Sequence, residues 1–166
     1  MRVGGHRMRE YVRLLLPLFA FVAAIWVLRL LLAALGVSLG VSRIFSVTTA
    51  SAVAVFLAVL LIHFHGFGGY TNVVTTSLLL NAWSQILIVI AILFAVATGT
   101  ENVYTLPEFS VPGDDPMHLR HIFGHLTFML GLGTLFGAGV GCLMLWFLRL
   151  MVPLRREKVK GEKVKG

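Results

Sequence analysis

Apolar residues in this chain do not alternate with polar ones; they run on unbroken. Residues 14–35, 44–62, 74–98 and 123–152 are apolar almost throughout. Crossing a hydrocarbon layer about 30 Å thick takes about 20 helical residues, and each run is close to that length or longer. Within lipid a helix satisfies its backbone hydrogen bonds inside one segment, so four such runs read as four helices. The pattern predicts an all-α, polytopic transmembrane four-helix bundle. A basic segment over residues 1–13 precedes a single membrane domain over 14–152, and a basic tail over 153–166 follows it. One long connection, about residues 99–119, is broken by Pro107, Pro112 and Pro116 and reads as an irregular loop.

Composition agrees with this and adds a direction. The chain has 166 residues, of which 58% are apolar and 13% charged, and its mean hydropathy is +0.91. That length holds four spans and their connections and leaves no room for a separate soluble domain. The net charge of +7 does not point to nucleic acid, because the basic residues gather at the chain ends instead of covering a folded surface. Arg2, Arg7, Arg9 and Arg13 stand before the first run, and seven more lie from Arg149 onward. Eleven basic residues at the termini face only Arg43 and Arg120 at the other side, with Arg29 inside the first run. By the positive-inside bias both termini are expected in the cytoplasm, with a bacterial inner membrane as the setting. The 99–119 loop, with Glu101, Glu108, Asp114 and Asp115, is then external. The basic start followed by an apolar run resembles a secretory signal, but the run is about 22 residues long and lacks a small-x-small cleavage site. It reads as an uncleaved signal anchor.

The tail ends in two copies of Glu-Lys-Val-Lys-Gly, too polar to fold alone and suited to anionic lipid or to water. Cys142 is the only cysteine, so no intrachain disulfide forms. In apolar surroundings it is a small packing residue, not a nucleophile.

Lipid tails are as apolar as leucine, so close backbone contact and polar pairs must hold the helices together. Gly133, Gly137 and Gly141 form two overlapping GxxxG units in the fourth run, and Ser46, Ala50, Ala54 and Ala58 share that spacing in the second. Two such small-residue ridges can approach closely, so the second and fourth runs are expected to touch. The glycine face equally suits a second copy or a partner subunit. The third run carries Ser77, Asn81, Ser84 and Gln85; Asn81 and Gln85 are four apart, share a face and should point into the bundle. They read first as a structural clamp and second as a pathway lining. Arg29 is the one full charge well inside a run. It can snorkel to the outer headgroups, pair with Glu101 or Glu108, or donate to Gln85.

Five of the six histidines fall in two groups: His63 and His65 at the end of the second run, and His118, His121 and His125 at the start of the fourth. A haem ligated by both groups is ruled out, because a membrane thickness separates them. His63 and His65 sit about 160° apart on a helix and face different ways. The glycine-rich stretch after them has no lysine and no strand before it, so it reads as a turn and not a phosphate loop. His118, His121 and His125 fall within an arc of about 60°, and neutral imidazoles suit zinc, copper, iron or nickel. With the outer acids they make a candidate metal or proton-linked site, although Pro116 stands ready to keep His118 out of the helix. No cofactor is required by the sequence; a transition metal or haem is compatible with it.

Nothing in the chain assembles a catalytic set. There is no nucleophile elbow, and no paired carboxylates lie on facing runs. Three functional readings follow. The first is a non-enzymatic accessory or assembly subunit, packing through its glycine faces against itself or a larger complex. The second is a metal- or haem-binding, redox or proton-handling protein built on the histidine trio. The third is an oligomeric transporter or channel protomer whose path is lined by Arg29, Asn81 and Gln85.

Overall fold

A computed structural model of the chain describes residues 2–106, 115 and 117–152. Four long helical segments form the bundle. They are α1 (Met8–Ala34), the pair α2 (Leu39–Ile44) and α3 (Val47–Phe64), α4 (Tyr70–Thr98), and a last span made of α5 (Leu119–Gly124), a π-helical turn (His125–Met129) and α6 (Leu130–Met151). Each of the four is long and apolar enough to cross a membrane, so the chain is a multi-pass membrane protein.

The helices overrun the apolar stretches at their polar starts. Helix α1 begins at Met8, ahead of the first leucine run, because Glu10 accepts from the Arg7 backbone N–H at 3.3 Å and receives the His6 ring nitrogen at 2.7 Å. A carboxylate in the first turn also suits the positive end of the helix dipole. Before it, β1 (Arg2–Val3) and β2 (His6–Arg7) form a small antiparallel hairpin with Val3 opposite His6. Gly4 and Gly5 turn it, both at positive φ, where a side chain would be strained.

Helix α4 is the centre of the bundle. Of its most apolar stretch 56% is buried, against 11% in the last span. Its polar face turns inward as expected: Ser77, Asn81, Ser84 and Gln85 are all buried. The main apolar cluster joins Leu15, Leu18 and Val22 of α1 to Ala50, Ala54 and Ala58 of α3 and Leu80, Leu87 and Ile88 of α4.

The two small-residue ridges therefore do not face each other. The alanines of α3 pack into that cluster. The glycines of α6 run antiparallel to α4, one turn against one turn. A Cβ at Gly133 would lie 2.6 Å from Asn81 Oδ1, at Gly137 3.6 Å from Ser77 Oγ, and at Gly141 2.8 Å from Val73 Cγ1. The second and fourth spans do touch: Ala52, Val55 and Phe56 of α3 face Phe136, Gly137, Val140 and Gly141 of α6 across a small gap, and Val59 Cγ2 is 3.2 Å from the Cβ point at Gly141. The physical reason that the glycines turn to α4 is room. Asn81 donates within its own helix to the Ser77 carbonyl at 2.9 Å, and a glycine opposite leaves space for that bulky amide.

Candidate functional site

The N-terminal hairpin, the end of α6 at Val152 and the connection after α3 gather at one end of the bundle. His63 Nε2 meets the Val152 carbonyl at 3.0 Å, and Arg149 donates to the Gly68 carbonyl at 3.0 Å. His65 caps its own helix at the Leu61 carbonyl. His121 and His125 begin the last span, whose far end is the one that meets His63. The two histidine groups are thus held at opposite ends, and each of the first pair is spent on a backbone carbonyl.

The end remote from the termini is closed by chain that turns back inward. After Gly99 ends α4 in the left-handed conformation, residues 100–106 fold onto the bundle. Asn102 donates to the Ala91 carbonyl at 2.6 Å, and its Oδ1 accepts from the Tyr104 backbone N–H at 2.9 Å. Val103, Tyr104 and Thr105 are buried as a result. Tyr104 lies under Arg29, whose guanidinium carbon is 4.9 Å from the ring centroid. Arg29 is only 6% exposed. Its side chain is turned into the bundle. Burial pushes the Tyr104 hydroxyl up to about 12, against the lowering effect of the Arg29 charge.

Three side chains form a line across the same end. Gln85 Oε1 lies 2.6 Å from His125 Nδ1, and His125 Nε2 lies 3.0 Å from His121 Nε2. Gln85 comes from α4, and both histidines come from the last span where α5 passes into the π turn. A π turn adds a residue to one turn and re-aims the face that follows, and such turns concentrate at functional sites. His121 is 7% exposed, and its Nδ1 has no hydrogen-bond partner.

These groups border a cavity of about 460 Å³. Arg29 and Tyr104 lie on one side, Ser46 and Thr48 at the start of α3, and His121, Gly124 and His125 on the last span. Ile88, Phe128 and Met129 supply an apolar wall. Phe128 and Met129 are themselves exposed on the outer surface of the bundle. The cavity thus has its lip on the side that faces lipid.

The histidine trio is not gathered as one set. His118 precedes α5 at φ 49°, outside the helical arc. Asp115 caps α5 by accepting from the Leu119 and Arg120 backbone N–H groups at 3.0 and 2.8 Å. His118 and Glu101 border a second, smaller cavity of about 240 Å³. Glu108 and Asp114 lie outside the described residues. Among the described residues no three of His, Cys, Asp and Glu converge in a way that would hold a metal ion. His121 and His125 remain as a two-nitrogen pair at 3.0 Å.

Sequence reasoning paired His121 with His125 and named Gln85 as one partner for Arg29, but it did not bring Gln85 to His125. It missed Ser46 and Thr48 as wall residues and Tyr104 as the partner of Arg29. The Asn-x-x-Thr spacing of Asn102 and Thr105 was the available signal for the inward turn, since such side chains bond their own backbone. Comparison with models of protein families, with curated proteins and with solved structures finds no match to this chain.

Proposed function

We propose that this membrane protein is a non-enzymatic binding protein that holds a small, membrane-soluble molecule at the end of the bundle remote from its termini. One observation carries the reading: Arg29, Tyr104, His121 and His125 border a cavity of about 460 Å³ with an apolar lip. Small-molecule sites are mostly apolar cavities of about 300–1,000 Å³ with a few convergent polar groups. In the Gln85–His125–His121 line only the two imidazoles, 3.0 Å apart, can exchange a proton, so the proton-handling reading of the histidines narrows to these two.

The test is to purify the protein in mild detergent and analyse bound small molecules by mass spectrometry. A Cβ at Gly124 meets no atom within 4 Å, so Gly124→Phe can project into the cavity without disturbing the backbone. The wild type is expected to carry a stoichiometric small molecule, and Gly124→Phe, equally helical, to lose it. A wild type that carries nothing and gains no thermal stability from membrane lipid extract sinks the reading.

A second reading, the accessory or assembly subunit, is favoured by the last span. Little of it is buried within this chain, and Gly131 and Gly139 have no atom within 4 Å of where a Cβ would stand. Open glycines let another helix approach closely. Gly131→Leu should then shrink the particle seen in mild detergent; an unchanged size removes this reading. Gly137, being turned toward α4, is not the position to test. In both readings the termini are taken as cytoplasmic, on the strength of the basic residues at that end.

A further inference from the structure

His121 and His125 bring the same ring nitrogen to one place. Their Nε2 atoms are 3.0 Å apart and their ring centroids 4.8 Å. Two nitrogen lone pairs at that distance repel unless a proton or a metal ion lies between them. Ligation uses both Nε2 lone pairs, whichever ring holds the proton when no ion is bound. An imidazole that ligates through Nε2 carries its proton on Nδ1 and needs an acceptor there. For His125 that acceptor is Gln85 Oε1, 2.6 Å away.

Geometry sets the number of donors. An ion about 2.0–2.1 Å from each nitrogen would see the 3.0 Å pair at roughly 90–100°. A linear two-nitrogen site would hold them about 4 Å apart, so this pair needs a third donor. Among the described residues no third His, Cys, Asp or Glu joins them. Cys142 stands far along the last span, 4.0 Å from the Tyr70 carbonyl. Met129 borders the same cavity as the two histidines. It follows His125 by four residues, as His125 follows His121, so the three share one face of the span. Its thioether turns on three rotatable bonds. Charge and softness then choose the ion. No carboxylate among the described residues borders the cavity, and the Arg29 guanidinium does. Neutral donors beside a fixed cation favour the ion of lowest charge, and a thioether selects copper(I).

We infer that His121 Nε2, His125 Nε2 and the Met129 sulfur hold a copper(I) ion in the wall of this cavity. Parting the nitrogens from 3.0 Å to the roughly 3.5 Å of a trigonal site takes small ring rotations. His121 is the third residue of α5, so the ion enters from the water at that end of the span. It occupies the wall and not the cavity's volume, and the inference does not rest on the small-molecule reading above.

The test titrates the full chain in nanodiscs, stripped of metal, with copper(I) under ascorbate against a coloured copper(I) chelator. One ion per chain is expected, and equimolar zinc(II) should not displace it. At equal helicity, His121→Leu and His125→Leu should each weaken binding by about a hundredfold, and Met129→Leu, which keeps the volume, by about tenfold. Cys142→Ser should change nothing. X-ray absorption at the copper edge, which needs no variant, should show nitrogen and sulfur bonded to the ion, and the sulfur should vanish in Met129→Leu. No saturable copper(I) binding, full affinity in either histidine variant, or zinc(II) bound as tightly overturns the inference. So does a sulfur signal absent from the wild type, kept in Met129→Leu or lost in Cys142→Ser. The small-molecule reading stands or falls separately, by mass spectrometry.

Discussion

Single atoms decide where this protein tolerates change. At Gly141 an added Cβ would stand 2.8 Å from Val73 Cγ1 and 3.2 Å from Val59 Cγ2, both on stiff β-branched side chains. At Gly137 the nearest atom would be 3.5 Å away, an ordinary contact. Gly141→Ala is therefore expected to destabilise the bundle by about 1–3 kcal/mol through overpacking. Gly137→Ala should stay within about 1 kcal/mol of the wild type, since alanine is the better helix former. Denaturant unfolding of the two variants in one detergent ranks them, and the reverse ranking would mean that α6 is rotated from the face described. Tyr104 offers a pH test. Its folded pKa of about 12 lies above the ordinary phenol value of about 10. The stability it contributes is complete below about pH 10 and is lost as pH rises through about 12. Absorbance at 295 nm should show a tyrosine ionising near pH 12, and that step should vanish in Tyr104→Phe. Of these residues only the glycines stood out in the sequence. The buried environment of Tyr104 depends on a chain reversal that no apolar pattern announces.

At the scale of elements, the two ends of the bundle are finished by different devices. Near the termini, Asn72 ties three segments together. Its Oδ1 accepts from the Gly69 N–H at 3.0 Å, and its Nδ2 donates to the Gly4 carbonyl at 3.3 Å and the Tyr11 hydroxyl at 2.8 Å. Tyr11 in turn donates to the Val3 carbonyl at 3.0 Å, and His6 stacks on Phe67 with centroids 3.9 Å apart. The N-terminal hairpin is thereby sealed over the glycine-rich turn between α3 and α4. Asn72→Leu keeps the volume but leaves these groups unpaired, at about 1–3 kcal/mol each. Hydrogen exchange should then quicken in residues 2–7 and 66–69 while the middle of α4 stays protected; unchanged exchange at the hairpin would show that it is held by other contacts. The glycine-rich turn was legible from Gly66, Gly68 and Gly69. The hairpin was not, because two-residue strands leave no periodicity to read. At the other end, the start of the last span came four residues earlier than its apolar run, since Asp115 caps α5 from outside it.

For the whole molecule, the arrangement divides labour between a tied end and a pocketed end. The termini, His63, His65 and Arg149 hold the first together through backbone carbonyls; Arg29, Tyr104, Gln85, His121 and His125 meet at the second. If both termini stand on the cytoplasmic side, as we propose from their basic residues, the pocket faces the outer leaflet. A fluorescent reporter fused after Gly166 should then be bright, and a cysteine placed at Thr100 should react with an impermeant thiol reagent in intact cells. The opposite pair of results inverts the map and moves the pocket to the cytoplasmic leaflet.

The sequence by itself determined that there are four spans, that the polar face of the third turns inward and that the two histidine groups stand apart. Length and hydropathy settle those points, because lipid excludes unpaired backbone and stranded polar groups whatever the neighbours are. Only the tertiary structure decided that the α6 glycines seat against Asn81, Ser77 and Val73 and not against the α3 alanines. It also decided that Arg29 covers Tyr104, and that Gln85, His125 and His121 form one line ending at a cavity. Helix rotation and the inward turn at residues 100–106 choose those partners, and both arise from packing between segments far apart in the chain, where the local pattern of residues carries no record.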